Sequence, residues 1–307
     1  LSSVESAKNK FISRVRPIDI ATLAYIFVEL LLILIFMTDK PEWPYMGLFY
    51  GSSACIVLLI VNFPVGEKNE LWMIVRTIYP MFLFVIFYRA IAPQIFIVFD
   101  RPFDWMVHGI ELKVLGGDPA FFMQRYLEIW LNEIMSFGYF SYYLQFPIAV
   151  ALFILLKKQK SLEKIILASS VTFYICYIIF ILYPVTGPRF YLEDIYYLPI
   201  VGPIFTPLVR KIVDFGGHYG AAMPSSHCAI ALVIAWRISK DIPKLAIPAI
   251  VMLILLCAST VYGRFHYLTD VFFGLIIGAL GLWIAGRWSR VFLKEREAGK
   301  GHLAKQS

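Results

Sequence analysis

The chain has 307 residues, of which 60% are hydrophobic and 16% charged, with a formal net charge of +7 and a mean hydropathy of +0.72. A soluble domain carries about 25% charged and about 45–50% apolar residues, so this composition excludes an ordinary soluble globule and implies a polytopic membrane protein. The positive charge is not the footprint of a nucleic-acid binder, because the basic residues fall between apolar runs.

Apolar runs of about 17–25 residues predict membrane spans. They occur at about 18–38, 45–63, 71–90, 137–156, 161–184, 223–240, 244–262 and 266–288, so the expected fold is an all-α polytopic bundle of about eight helices. Residues 1–17 form a leading segment. The first long run follows Lys8, Lys10, Arg14 and Arg16, and it reads as a retained helix rather than a cleavable signal. The two spans within 18–66 carry no legible chemistry, and packing or partner contact is the plain reading. Residues 67–289 hold the other six spans, and 290–307 form a basic tail. Cys55, Cys176, Cys228 and Cys257 lie in or beside apolar runs without metal-ligand spacing and read as small buried packing residues.

The segment 91–136 is too polar to span as a whole. Within it Asp104, His108 and Glu111 share one helical face, and Met106, Val107, Ile110 and Val114 share another. That is the pattern of an amphipathic helix lying in the membrane interface. With one histidine and no second His or Cys nearby, the polar face reads as solvated, or as a lid, rather than as a metal site. Phe137, Tyr139, Phe140, Tyr142 and Tyr143 open the fourth span and read as an interfacial aromatic belt, with a groove for a lipid tail as the alternative. Gly274, Gly278 and Gly281 give the last span a small-residue face for close helix packing.

The basic residues set the expected orientation. With the N-terminus inside, eighteen lie on the cytoplasmic side, in the leader, at Lys68, at Lys157, Lys158, Lys160 and Lys164, at Arg237, Lys240 and Lys244, at Arg287, and in the tail. Nine lie opposite: Lys40, Arg89, Arg101, Lys113, Arg125, Arg189, Arg210, Lys211 and Arg264. Both termini are then cytoplasmic.

The chemistry concentrates between Gly216 and Asp270. Pro224-Ser225-Ser226-His227 opens an apolar helix, and the free N–H groups of a helix start make a ready anion site. Proline suits the first turn, and the two serines add hydroxyl donors. His266 and Asp270 are four apart, so on a helix the acid can hold the imidazole in one tautomer. Ionisable groups at membrane-helix ends are costly, and by default they mark function. In the orientation above, both motifs lie on the non-cytoplasmic side.

Pro-Ser-x-His, an intervening span, then Ser259-Thr260-Val261-Tyr262 ahead of His266-Tyr267 and Asp270 resembles the type 2 phosphatidic acid phosphatase superfamily, over about residues 70–289. Within it, the chain looks most like the branch containing fungal inositol phosphorylceramide synthase and its bacterial relatives. The resemblance implies a six-helix catalytic core in 67–289 and phosphoester chemistry through a phosphohistidine. It assigns His266 as nucleophile, Asp270 as its orienting acid and His227 as general acid, roles that suit a histidine titrating near working pH. Phosphate binding falls to Arg189, Ser225 and Ser226, with Arg264 as a further candidate. Arg189 lies in Tyr183-Pro184-Val185-Thr186-Gly187-Pro188-Arg189-Phe190, where the superfamily places its basic motif, and its fork suits phosphate. His218 reads as a loop residue.

The chain departs from the broad phosphatase pattern at Leu182, where that pattern has lysine, at Pro188, which precedes its arginine instead of following it, and at Thr260, where it has arginine. Arg264 is placed to substitute for the last. The departures tilt the reading towards the synthase-like branch, hence lipid phosphotransfer, with lipid phosphate hydrolysis (phosphatidate or polyprenyl phosphate) as the alternative. A transporter reusing the fold and a scaffold with a degenerate site are the readings of another class. Mid-membrane polar residues on broken helices would mark the transporter. The resemblance implies no metal and no cofactor. The implied partners are membrane lipids and the bilayer, with no nucleic acid and no identifiable protein partner.

Overall fold

The computed structural model describes residues 14–63 and 69–303, so most of the leading segment, including Lys8 and Lys10, lies outside the described residues, as do Lys68 and Lys305. The described chain is all helical, apart from one isolated bridge between Val185 and Ala221. In chain order the helices are α1 (Pro17–Phe36), α2 (Trp43–Asn62), α3 (Glu70–Ala90), α4 (Asp104–Leu115), α5 (Pro119–Met123), α6 (Ile129–Leu155), α7 (Gln159–Leu182), α8 (Pro188–Tyr191), α9 (Phe205–Gly216), α10 (Ser226–Asp241), α11 (Ala246–Tyr262) and α12 (Leu268–Leu303). Among the described residues, seven spans are long and apolar enough to cross a membrane: α1, α2, α3, α6, α7, α11 with the turn before it, and α12 through Phe292. The protein is an integral membrane protein.

The eighth expected span is α10, and it is shorter than predicted. Its 16 residues rise about 1.5 Å each, which falls short of a hydrocarbon core of about 30 Å. It need not meet lipid on its own, because it sits inside the bundle. Cys228, Ala229, Ile230, Ala231 and Val233 are all buried, and α6, α7, α11 and α12 pack around it. Its middle stretch, Cys228 to Ala235, is apolar on every side and belongs in such a position.

Two boundaries differ from the sequence reading, the first because polar residues there have partners inside the protein. Helix α6 begins at Ile129 rather than near 137. Asn132 donates to the Val201 carbonyl at 2.7 Å and accepts from the Tyr262 hydroxyl at 2.6 Å, so the polar first turns are satisfied within the fold. Helix α12 runs on to Leu303, so the basic tail up to that point continues the last helix instead of forming a separate segment.

Small residues let α10 and α12 close up. A Cβ on Gly278 would meet the Ala229 carbonyl oxygen at 2.5 Å, and Gly274 lies against Ser225, so α12 touches the α10 backbone directly. Gly281 packs on Thr172 of α7. On the far side, α1 docks through a buried ion pair in which Arg76 Nη2 of α3 lies 3.0 Å from Asp19 Oδ2. The Tyr79 hydroxyl donates to the other oxygen of Asp19 at 2.9 Å. Cys176 and Cys228 are buried as expected, Cys257 is half-buried, and Cys55 is exposed; all four are free thiols.

Candidate active site

Three loops meet at one end of the bundle. They follow α7, precede α10 and link α11 to α12, and backbone hydrogen bonds tie them together. The Val185 N–H donates to the Gly220 carbonyl at 3.0 Å, and the Ala222 N–H donates to the Val185 carbonyl at 2.8 Å. The Arg189 N–H donates to the Arg264 carbonyl at 3.0 Å, and the Ser225 N–H donates to the Asp270 carbonyl at 3.0 Å. Gly187 takes a φ of 92°, and a Cβ there would meet the Phe265 carbonyl oxygen at 2.7 Å. Glycine is what lets this turn, which leads into Arg189, press against the histidine loop.

The knot brings the two histidines together. Their ring centroids are 5.6 Å apart. His266 is 4% exposed, and its Nδ1 lies 3.4 Å from Asp270 Oδ2. That separation is one of proximity rather than an aligned hydrogen bond, because Asp270 Oδ2 accepts from the Tyr267 N–H at 2.9 Å. Asp270 Oδ1 is buried without a partner. His227 Nε2 meets the Tyr139 hydroxyl at 3.2 Å, while its Nδ1 is buried without a partner.

A cavity of about 450 Å³ opens onto the pair. His227, His266, Ser226 and Arg189 line it, and its walls beyond them are largely apolar, including Phe84, Val85, Phe173 and Tyr177. Arg189 forms no ion pair among the described residues. Its guanidinium carbon lies 4.3 Å from the centroid of the Phe190 ring. Burial lowers its pKa, with Tyr139 and Asp214 opposing the shift; arginine keeps its charge through such a shift. An unpaired guanidinium beside two imidazoles and a serine hydroxyl at a helix start is a composition suited to phosphate.

Two of the expected phosphate ligands stand elsewhere. Ser225 is fully buried and accepts the Cys228 N–H at 3.4 Å, so it is the cap of α10, and Pro224 precedes that cap instead of entering the first turn. Arg264 has a left-handed φ of 63°. Its Nη2 donates to the Leu198 carbonyl at 2.7 Å, and its guanidinium carbon lies 4.4 Å from the Tyr196 ring centroid. It lines a second, more polar cavity of about 560 Å³ with Ser136, Glu193, Thr206, Arg210 and Asp214. Arg189, Tyr139, Phe190 and Phe265 border both cavities.

Other residues at the site were read differently from the sequence. Tyr139 and Tyr142 are not part of an outer belt. Tyr139 is 4% exposed, and the Tyr142 ring centroid lies 4.4 Å from that of His227. Their spacing of three along one helix, facing a buried partner, was the available signal. His218 stacks on Tyr88 at 4.5 Å and meets its carbonyl oxygen at 2.9 Å, lining the first cavity. Burial lowers its pKa.

The acidic face of α4 is buried instead of solvated. Asp104 Oδ2 accepts from the Thr186 N–H at 2.8 Å, and its Oδ1 accepts from the Gly187 N–H at 2.9 Å and the Tyr267 hydroxyl at 3.2 Å. Glu111 Oε1 accepts from the Thr269 N–H at 2.8 Å and its hydroxyl at 3.1 Å. Burial pushes the Glu111 carboxyl up to about 7 against these bonds, and burial likewise raises Asp104. Of the expected apolar face, Met106, Ile110 and Val114 stay outward with Trp105, but Val107 is buried with Asp104 and Glu111 and packs among Val185, Leu192, Ala222 and Tyr267. Among the described residues, no three His, Cys, Asp or Glu side chains gather as a metal site would.

A family model described as PAP2 superfamily matches residues 113–284, more than half of the chain. The chain belongs to that superfamily, whose members are lipid phosphatase or phosphotransferase-type enzymes. No curated protein and no solved structure matches the chain significantly.

Proposed function

We propose that this PAP2-superfamily protein transfers a phosphorylated head group between lipids through a phosphohistidine on His266. The observation that carries the chemistry is the pair of imidazoles with ring centroids 5.6 Å apart at the mouth of a cavity that also holds an unpaired Arg189. His266 attacks phosphorus while the P–O bond to the departing alcohol breaks, and His227 gives that oxygen its proton. The acceptor hydroxyl then attacks phosphorus and the P–N bond breaks, with His227 taking the acceptor's proton. Both histidines end as they began. Asp270, beside Nδ1, leaves Nε2 as the attacking nitrogen and stabilises the imidazolium character that develops. Arg189, Ser226 and the N–H groups at the start of α10 hold the phosphate oxygens.

The tilt towards transfer is supported by the second cavity. A phosphomonoester places nothing beyond its phosphate, whereas a phosphodiester carries a polar head group. The polar chamber of about 560 Å³ lies across Arg189 and Phe265 from the apolar one, where such a group would extend. The likeness to inositol phosphorylceramide synthase points the same way. Hydrolysis, with water as acceptor, uses the same first half-reaction. The test is incubation of purified protein with a panel of lipid phosphates and phospholipids, with and without a lipid alcohol and EDTA. New phospholipid, formed equally with EDTA, is the expected result. Inorganic phosphate as the sole product would replace transfer by hydrolysis.

A further inference from the structure

We propose that Asp104 and Glu111 are positioning residues of the reaction, two carboxylates on one face of α4 that fix the phosphate-binding turn and the histidine-bearing helix start relative to each other. The inference rests on the functional reading above and extends it to residues outside the family match, which begins at 113.

Asp104 uses both of its oxygens. One takes the Thr186 N–H and the other takes the Gly187 N–H, the two amides just ahead of Pro188 and Arg189. The second oxygen also takes the hydroxyl of Tyr267, the neighbour of His266. Asp104 therefore joins the arginine loop to the histidine loop through one side chain. Glu111, two turns further along, uses a single oxygen. Its Oε1 takes both donors of Thr269, the neighbour of Asp270, and its Oε2 is buried without a partner.

Helix docking alone does not account for this arrangement. Both acids are at most 1% exposed. A buried carboxylate is costly unless its hydrogen bonds repay the lost hydration, and an apolar residue would seat α4 with less penalty. What the carboxylates supply, and an apolar side chain cannot, is direction. They aim N–H groups that lie two residues before Arg189 and one before Asp270. A misplacement of about 1 Å in a catalytic constellation can cost about a hundredfold in rate, so such aim is consequential.

The different use of oxygens yields a test. In Glu111→Gln the amide oxygen can keep both Thr269 donors while the NH₂ occupies the partnerless side. In Asp104→Asn an NH₂ must face a backbone N–H. Steady-state kinetics on the lipid that the wild type turns over best should show Glu111→Gln within about threefold of wild type. Glu111→Ala should lose about ten- to hundredfold in kcat with little change in KM. Asp104→Asn and Asp104→Ala should both raise KM about tenfold or more, because Arg189 is displaced. Hydrogen–deuterium exchange should quicken at Thr186 and Gly187 in the Asp104 variants and at Thr269 in Glu111→Ala only. Asp104→Asn preserves shape and carries the test if the alanine variant does not fold. Asp104→Asn behaving as wild type, or Glu111→Gln failing as badly as Glu111→Ala, would overturn the proposal. A wild type that turns over no lipid would instead remove the functional reading, and the exchange pattern would still report whether the two acids hold these loops.

Discussion

At the scale of single residues, two arginines and two histidines that look alike in the sequence differ in what surrounds them. Arg189 has no ion-pair partner among the described residues and lines the cavity with the histidines, while Arg264 is turned onto the Leu198 carbonyl and the Tyr196 ring. Arg189→Ala should therefore lower kcat/KM by about 10²–10³, the usual cost of removing one donor to a developing oxyanion. Arg189→Lys should recover part of that, since a point charge replaces a fork. Arg264→Ala should cost less than about tenfold, because one hydrogen bond contributes about 0.5–1.5 kcal/mol. Equal losses for the two alanine variants would place Arg264 on the phosphate after all. For the histidines, the contrast lies in the leaving group. His227→Ala should slow turnover of a lipid with an alkoxide leaving group by about 10²–10⁴, and slow that of an activated aryl phosphate far less, because the aryl group departs without a proton. Equal losses on both substrates would remove the general-acid role.

At the scale of elements, the site depends on how closely α12 approaches α10. Gly278 meets the Ala229 carbonyl, and Gly274 lies against Ser225, two residues from His227. Gly278→Leu should lower stability by about 1–3 kcal/mol through overpacking, with a parallel loss of turnover. Thermal unfolding in detergent is the measurement, and an unchanged midpoint would mean that the two helices are not held by this contact. The elements were legible wherever hydrophobicity alone decides. Spans α1, α2, α3, α7 and α11 lie within a few residues of the predicted runs, because long apolar stretches have few alternatives. Sequence reading failed where polar residues are satisfied by distant partners. Asn132 and Glu133 fell in the segment read as too polar to span, because Val201, Phe205 and Thr206, which bond them, lie about seventy positions away. Asp104 and Glu111 looked solvated for the same reason. The two histidines stood out through local motifs, but His266 does not share a helix with Asp270 as the spacing of four predicted, because α12 begins only at Leu268. Displacement of Arg264 was not legible, since it follows from a left-handed backbone that no side-chain pattern announces.

At the scale of the whole molecule, every loop of the site lies at one end of the bundle, and the short turn between α6 and α7 lies at the other. From the distribution of basic residues we propose that the site end lies on the non-cytoplasmic side and both termini in the cytoplasm. Single cysteines at Lys160 and at Arg210, in a background lacking the four native cysteines, should be labelled from opposite sides of sealed vesicles. Labelling of both from the same side would contradict the orientation. The central claim is the covalent bond to His266, and its most direct measurement is to quench turnover of a phosphorus-labelled lipid in alkali and map the label by peptide mass. The account predicts an acid-labile, alkali-stable phosphoryl group on His266, absent in His266→Ala and accumulating in His227→Ala with an activated aryl phosphate. Label on His227, or undiminished turnover by His266→Ala, would contradict it.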